Sequence, residues 1–81
     1  MRIVVERFID VPGLGRRIKK ARRADPRSVE VLATAAGISR GWWYKLEREF
    51  EREAVPITTI RRVGKVLGVD LLEGSDGYLD E

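Results

Sequence analysis

Between Leu14 and Arg27 the chain carries seven basic side chains, Arg16, Arg17, Lys19, Lys20, Arg22, Arg23 and Arg27, against a single acid, Asp25. Guanidinium and ammonium groups at that density can hold phosphate oxygens through charge-assisted hydrogen bonds. The chemistry on offer is therefore capture of a polyanion, nucleic acid first; the alternative is a solvated helix face with no partner. From Val69 to Glu81 the balance reverses to five acids and no base, a contrast hidden under the net charge of +3. There is no cysteine and no histidine, which excludes disulfide scaffolds, thiolate or imidazole metal sites, Ser-His-Asp triads and cysteine nucleophiles. Carboxylates, hydroxyls and lysines remain, without a glycine-rich phosphate loop. Gly13-Leu14-Gly15 is too short a match to the dinucleotide fingerprint. No enzymatic activity, cofactor or metal is expected, since a chain of 81 residues has little room to enclose a substrate pocket. No apolar run reaches the length of a membrane span, and Arg2, Glu6, Arg7 and Asp10 interrupt any N-terminal signal region, so the expected location is cytoplasmic, with no membrane partner.

The elements that would position those charges can be read from periodicity and punctuation. RIVVERFI, residues 2–9, is rich in β-branched residues and partly alternating, which suits a strand. Val11-Pro12-Gly13 breaks it. Leu14, Ile18 and Ala21 recur at helical spacing, so LGRRIKKARR forms a first helix, which Asp25-Pro26 ends because proline disfavours helix in the residue before it. Ser28 is a good N-cap for a helix over Val29–Ala36, although Val31 replaces the acid of a capping box. Gly37 ends that helix by adopting a left-handed conformation at no side-chain cost. Ser39 caps a third helix from Arg40 to about Phe50, with the charged EREFERE stretch as its fraying end or a loop; Thr58 caps a last one over Thr59–Leu67, which Gly68 closes. The fold class expected is all-α: a compact four- to five-helix bundle with a central helix-turn-helix, plus a short N-terminal β-strand. Residues 1–13 form the strand and linker, 14–72 the domain, and 73–81 an acidic tail of poorly ordered composition.

Four motifs in that frame, LGRRIKKAR, the S-x-x-x-L-A-x-x-A-G-I-S run from Ser28 to Ser39, Trp43 and Leu46 followed by Glu47, and TTIRRVGKVLGV from Thr58 to Val69, resemble the phage-repressor-like (Cro/C1-type) helix-turn-helix family. The resemblance covers residues 14–72 and implies sequence-specific binding of double-stranded DNA by a transcription regulator, acting as a homodimer, with the third helix reading the major groove. On that basis Ser39, Arg40, Gly41, Trp42, Tyr44 and Lys45 are candidates for base contact. Arg40 and Lys45 can donate to guanine, Trp42 and Tyr44 can lie against a thymine methyl or a sugar, and Gly41 lets the backbone come close. Arg27, Ser28, Val29, Arg48, Arg52 and Arg61, with Arg62 beside it, are phosphate candidates. Two features depart from the family pattern: Val29 stands where Gln usually binds a phosphate, leaving only its backbone N–H, and the aromatic content of the third helix leaves open a protein-interaction or antitoxin-like module on the same fold.

The adjacent tryptophans divide by helix phase. Trp43 is in register with Ile38 and Leu46 and belongs to the core with Leu32 and Ala36, above the close crossing that Ala33 permits. Trp42 points about a hundred degrees away, and the resemblance places it on the exposed face of the third helix, where a large aromatic needs cover either from another part of the chain or from a partner. The resemblance also pairs Glu47 with Arg22 as a structural ion pair between the first and third helices, the alternative being a solvated acid. The N-terminal strand needs a partner, because a lone strand leaves its backbone groups unpaired. Either AVPIT, residues 54–58, pairs with it inside the chain, or the same segment of a second copy does so around a two-fold axis; the second is favoured because it would also bury Ile3, Val5 and Phe8.

Overall fold

The computed structural model describes residues 1–4, 8–49 and 55–72, of which 8–10 by their backbone. The sequence expectations for Val5, Glu6 and Arg7, for residues 50–54 including Phe50 and Arg52, and for the tail 73–81 lie outside these residues. Among them the elements run β1 (Arg2–Val4), β2 (Phe8–Asp10), α1 (Leu14–Ala24), α2 (Val29–Ala36), α3 (Arg40–Arg48), β3 (Val55–Pro56) and α4 (Ile57–Leu67). Helix α1 packs on α3 and α4, and α2 on the same two. Leu14, Ile18, Leu32, Trp43, Leu46, Ile60 and Val63 are fully buried between them. In α1, α3 and α4 these residues recur three or four apart, and in α2 Leu32 is joined by buried Val29, Ala33 and Ala36, the spacing that gathers one stripe against a core.

The N-terminal segment differs from the single strand expected. It folds as two short strands, and the three-stranded sheet has the order β2-β1-β3. Strand β1 pairs antiparallel with β2, Ile3 opposite Ile9, and parallel with β3, Ile3 opposite Val55. With partners on both sides, β1 offers no edge to a second copy. Of the two pairings open from sequence, the one within the chain with the AVPIT stretch is present for β1, while β2 of the same N-terminal segment lies at the sheet edge; Ile3 and Val55 are buried in the core. The hairpin is closed by reciprocal bonds: the Met1 ammonium donates to the Val11 carbonyl at 2.9 Å, and the Val11 N–H donates to the Met1 carbonyl at 2.7 Å.

Two helix boundaries also moved. Helix α3 stops at Arg48, because Glu49 takes a left-handed conformation, φ 52°, with its N–H bonded to the Leu46 carbonyl at 3.1 Å. Its carboxylate is ion-paired with the buried Met1 ammonium, tying the end of α3 to the sheet. Helix α4 begins at Ile57 with Pro56 as its N-cap and no side-chain capping bond; Thr58 lies inside the first turn. Strand β3 runs straight into α4, and burial of Ile57 draws that residue into the helix's inner stripe.

Trp43 has no exposure, whereas Trp42 is half-buried against the core together with Ile38, Val66 and Leu67. The expectation that Trp42 stands on the outer face is corrected by its position on the flank of α3 beside the Leu46 side rather than opposite it. Trp43→Ala should therefore cost about 3–5 kcal/mol, and Trp42→Ala about 1–2 kcal/mol, in proportion to the area each withdraws from water; urea unfolding of both variants checks the ratio.

Close approach of α1 to α3 depends on Gly15. A Cβ built there would lie 2.5 Å from the Glu47 carbonyl oxygen and 2.7 Å from that of Leu46. These are backbone atoms that cannot swing aside, so Gly15→Ala must push the helices apart, at about 1–3 kcal/mol. A thermal melt should show that loss despite the higher helix propensity of alanine.

Candidate nucleic-acid interface

The α2-turn-α3 unit is set by backbone capping. Gly37 adopts φ 75°, ψ 25°; its N–H donates to the Thr34 carbonyl at 3.1 Å and that of Ile38 to the Ala33 carbonyl at 3.0 Å, which satisfies the last turn of α2. The chain then needs only Ile38 and Ser39 to start α3. The hydroxyls of Ser28 and Ser39 accept from the N–H groups of Val31 at 3.2 Å and Trp42 at 3.1 Å, capping α2 and α3. Ser39 remains exposed but its hydroxyl is already engaged in the cap.

With Trp43, Leu46 and Glu47 turned inward, the outer face of α3 carries Arg40, Gly41, Tyr44, Lys45 and Arg48, all exposed. A Cβ built on Gly41 meets nothing within 4 Å, so no contact within the chain demands glycine there. Of the base-contact candidates, Arg40, Gly41, Tyr44 and Lys45 share this face, Ser39 sits at its rim and Trp42 leaves it for the core flank.

Behind that face lies one polar cluster. Arg22 donates through Nε to Glu47 Oε2 and through Nη2 to Oε1, both at 2.7 Å, and Trp43 Nε1 donates to Oε2 at 2.7 Å. Burial alone would raise the Glu47 carboxyl, whose side chain is only 4% exposed. The hydrogen bonds from Arg22 and Trp43 outweigh it and hold the group below the usual carboxylate range, while the Arg22 guanidinium is raised by the same bond. Arg22 also lies 5.8 Å from the centre of the Tyr44 ring, within cation–π reach. One guanidinium thus fixes the inner carboxylate and steadies an outer aromatic. Tryptophan and glutamate four apart on one helix, Trp43 and Glu47, were the available signal for the indole bond, which pairing with Arg22 alone did not reveal.

The phosphate candidates separate on inspection. The Val29 side chain is buried in the core, leaving its backbone at the start of α2 beside the Ser28 cap. Arg48 is exposed on α3, where its Nε donates to the Tyr44 carbonyl at 3.4 Å. Arg61 and Arg62 are both exposed on α4, but it is the Arg62 guanidinium that reaches the turn, 3.9 Å from a Cβ built on Gly37. Arg27 acts as a structural clamp as well: its backbone N–H and guanidinium bind the Asp25 carboxylate at 2.8–3.0 Å, and Nη2 donates to the Val66 carbonyl at 2.7 Å. These donors hold Asp25 down at about 2, first through the Arg27 side chain and then through its backbone. Lys19 and Arg23, which the sequence placed only in the basic segment as a whole, line a depression of about 400 Å³ with Arg22, Tyr44, Glu47 and Arg48, extending the basic surface from α3 onto α1.

A bundle of short helices with a tight glycine turn between α2 and an outward-facing α3 defines a helix-turn-helix domain. The profile of the family described as "Helix-turn-helix domain" matches residues 13–73, and the chain belongs to that family. Among solved structures it is similar to the N-terminal DNA binding domain of SinR from Bacillus subtilis, with a TM-score of 0.62 and 29% identity over 85% of this chain and 93% of that one. No curated protein matched the chain. Among the described residues no helix is long and apolar enough to cross a membrane.

Because Glu47 is buried and holds two donors, losing one partner should cost more than losing both. Arg22→Met alone should destabilise by about 2–3 kcal/mol, discounted for the partial exposure of Arg22, and the double variant Arg22→Met with Glu47→Leu by less. A double-mutant cycle in urea measures the coupling. The pH dependence follows from the lowered carboxyls: the contribution of Glu47 is full above its unfolded value and is lost as pH falls through the folded one. That of Asp25 is lost between 3.8 and about 2. Glu47→Gln and Asp25→Asn should each flatten the acid limb of the stability curve, the latter between pH 3.8 and about 2.

Proposed function

We propose that this domain binds double-stranded DNA sequence-specifically as the reading unit of a cytoplasmic transcription regulator, with α3 in the major groove. The reading is carried by the outer face of α3, where Arg40, Gly41, Tyr44, Lys45 and Arg48 are exposed together while its inner face is held by Trp43, Leu46 and Glu47. The similarity to a DNA binding domain from SinR supports it. Arg40 and Lys45 supply donors for guanine O6 and N7, Tyr44 packs on a thymine methyl or a sugar, and Gly41 admits the backbone close to the bases. Ser28 and Val29 at the start of α2, together with Arg48, Arg61 and Arg62, carry the phosphates. Trp42 supports α3 from the side instead of reading. Neither metal, cofactor nor catalytic step enters this reading.

Two copies reading two half-sites match the two-fold symmetry of palindromic operators. The pairing of β1 on both sides inside the chain supports a homodimer that forms without β1.

Selection from a random duplex library tests the proposal and returns the half-site and its spacing. Log affinity should fall linearly with log salt, with a slope that corresponds to about five or more neutralised phosphates for a dimer. Arg40→Ala should relax discrimination at one base pair by about 1–3 kcal/mol, and Arg48→Ala should weaken all sequences alike with a shallower salt slope. Absence of binding at low salt, or binding insensitive to salt, overturns the reading.

A further inference from the structure

Helix α1 carries a stripe of cations that neither the core nor the face of α3 accounts for. Arg16, Lys19, Lys20 and Arg23 follow the spacing that places them along one side of the helix. All four are exposed, and none makes an ion pair or hydrogen bond with another described residue. The depressions along the stripe are joined through shared walls. The largest, about 650 Å³, lies between Arg17, Lys20, Ala21 and Ala24 of α1 and the segment Val69–Leu71 that follows α4. Lys20 also lines the next, with Arg16, Lys19 and Arg23; Lys19 and Arg23 line the third, beside Tyr44 and Arg48 of α3. A basic track therefore runs from the segment after α4, along α1, to the outer face of α3.

The chain itself supplies a complement at the start of that track. Leu71 and Leu72 are buried, the Leu71 carbonyl accepts from Arg17 Nη1 at 3.1 Å, and the Leu72 N–H donates to Asp70 at 3.0 Å. These contacts anchor the chain beside α1. The nine residues that follow, 73–81, hold Glu73, Asp76, Asp80 and Glu81, no base, and Tyr78 and Leu79 between the acids. Nine residues reach up to about 30 Å when extended, while the stripe from Arg16 to Arg23 covers about 10 Å of helix. A tether this short also gives an effective concentration on the order of millimolar, which an untethered anion of the same weak affinity lacks.

We propose that the acidic segment Glu73–Glu81 binds along the basic stripe of α1 and there competes with a phosphate backbone for the cations next to α3. Carboxylates at Lys19 and Arg23 put negative charge beside Tyr44 and Arg48, where phosphates would approach. The competition rests on the DNA-binding reading above; the docking itself does not. Exposed ion pairs are individually weak, so the segment tunes affinity and yields to a duplex that engages the whole face.

The test compares the full chain with a full-length variant carrying Glu73→Gln, Asp76→Asn, Asp80→Asn and Glu81→Gln. At low salt, amide shifts should differ between the two at Lys19, Lys20, Arg23 and Tyr44, independently of protein concentration. The differences should vanish at about 0.5 M salt, where screening is short-ranged. The variant should also bind duplex about three- to ten-fold more tightly at low salt, as expected for a few exposed pairs, with the gap closing as salt rises. Unchanged shifts along α1 overturn the proposal, as do differences that grow with concentration, which would assign the stripe to the tail of a second copy. Docking without any change in duplex affinity overturns the competition. If neither protein binds duplex, the DNA-binding reading fails while the shift map still decides the docking.

Discussion

The carboxylate of Glu47 is the point on which the arrangement of α1 and α3 turns. It accepts from Arg22 through both oxygens and from the Trp43 indole, so a single buried charge is satisfied from two helices. A buried acid is costly unless all its lone pairs find donors, and that requirement fixes the separation and rotation of α1 against α3 more narrowly than apolar packing does. Gly15 meets the same constraint from the other side, since the backbone of Leu46 and Glu47 comes too close for any side chain there. What faces outward from α3 is determined by what this cluster holds inward.

Much of this was legible from residue type and spacing. Gly37, Ser28 and Ser39 punctuate the central helices, and α2 runs over the residues their signals marked, because caps act on neighbouring backbone groups and need no tertiary information. The phase of Trp43 was equally local. For Trp42 the phase left open whether the chain or a partner covers the ring, and a large ring on the flank of a thin bundle finds its apolar neighbours within the chain. Boundaries governed by distant partners were not legible. Helix α3 ends at Arg48, just before Glu49, whose carboxylate meets the N-terminus, and α4 starts at Ile57, which is drawn into the core.

The candidate site shows the same division. That α3 would present Arg40, Tyr44 and Lys45 follows from helix periodicity alone. The clamp that occupies Arg27 depends on a carbonyl thirty-nine residues away, at Val66, and composition counted that arginine with the others. Lys19 and Arg23 gained their place beside α3 only from the packing of α1, which a linear charge count cannot resolve. Charge density in the sequence therefore identified the kind of partner better than it identified the residues that would meet it.

The parallel pairing of Ile3 with Val55 joins residues about fifty positions apart, whereas the turn at Gly37 joins helices that are adjacent in the chain. Loop-closure entropy rises with the length enclosed, and contacts that close long loops slow the search for the native state. The α2-turn-α3 unit can therefore assemble from short-range contacts, while the sheet waits until most of the chain has been collected. Kinetically, the N-terminal segment is a late latch. It adds nothing to the shape of the turn, but once it is in place the Met1–Glu49 contact couples any fraying at the end of α3 to the opening of the sheet.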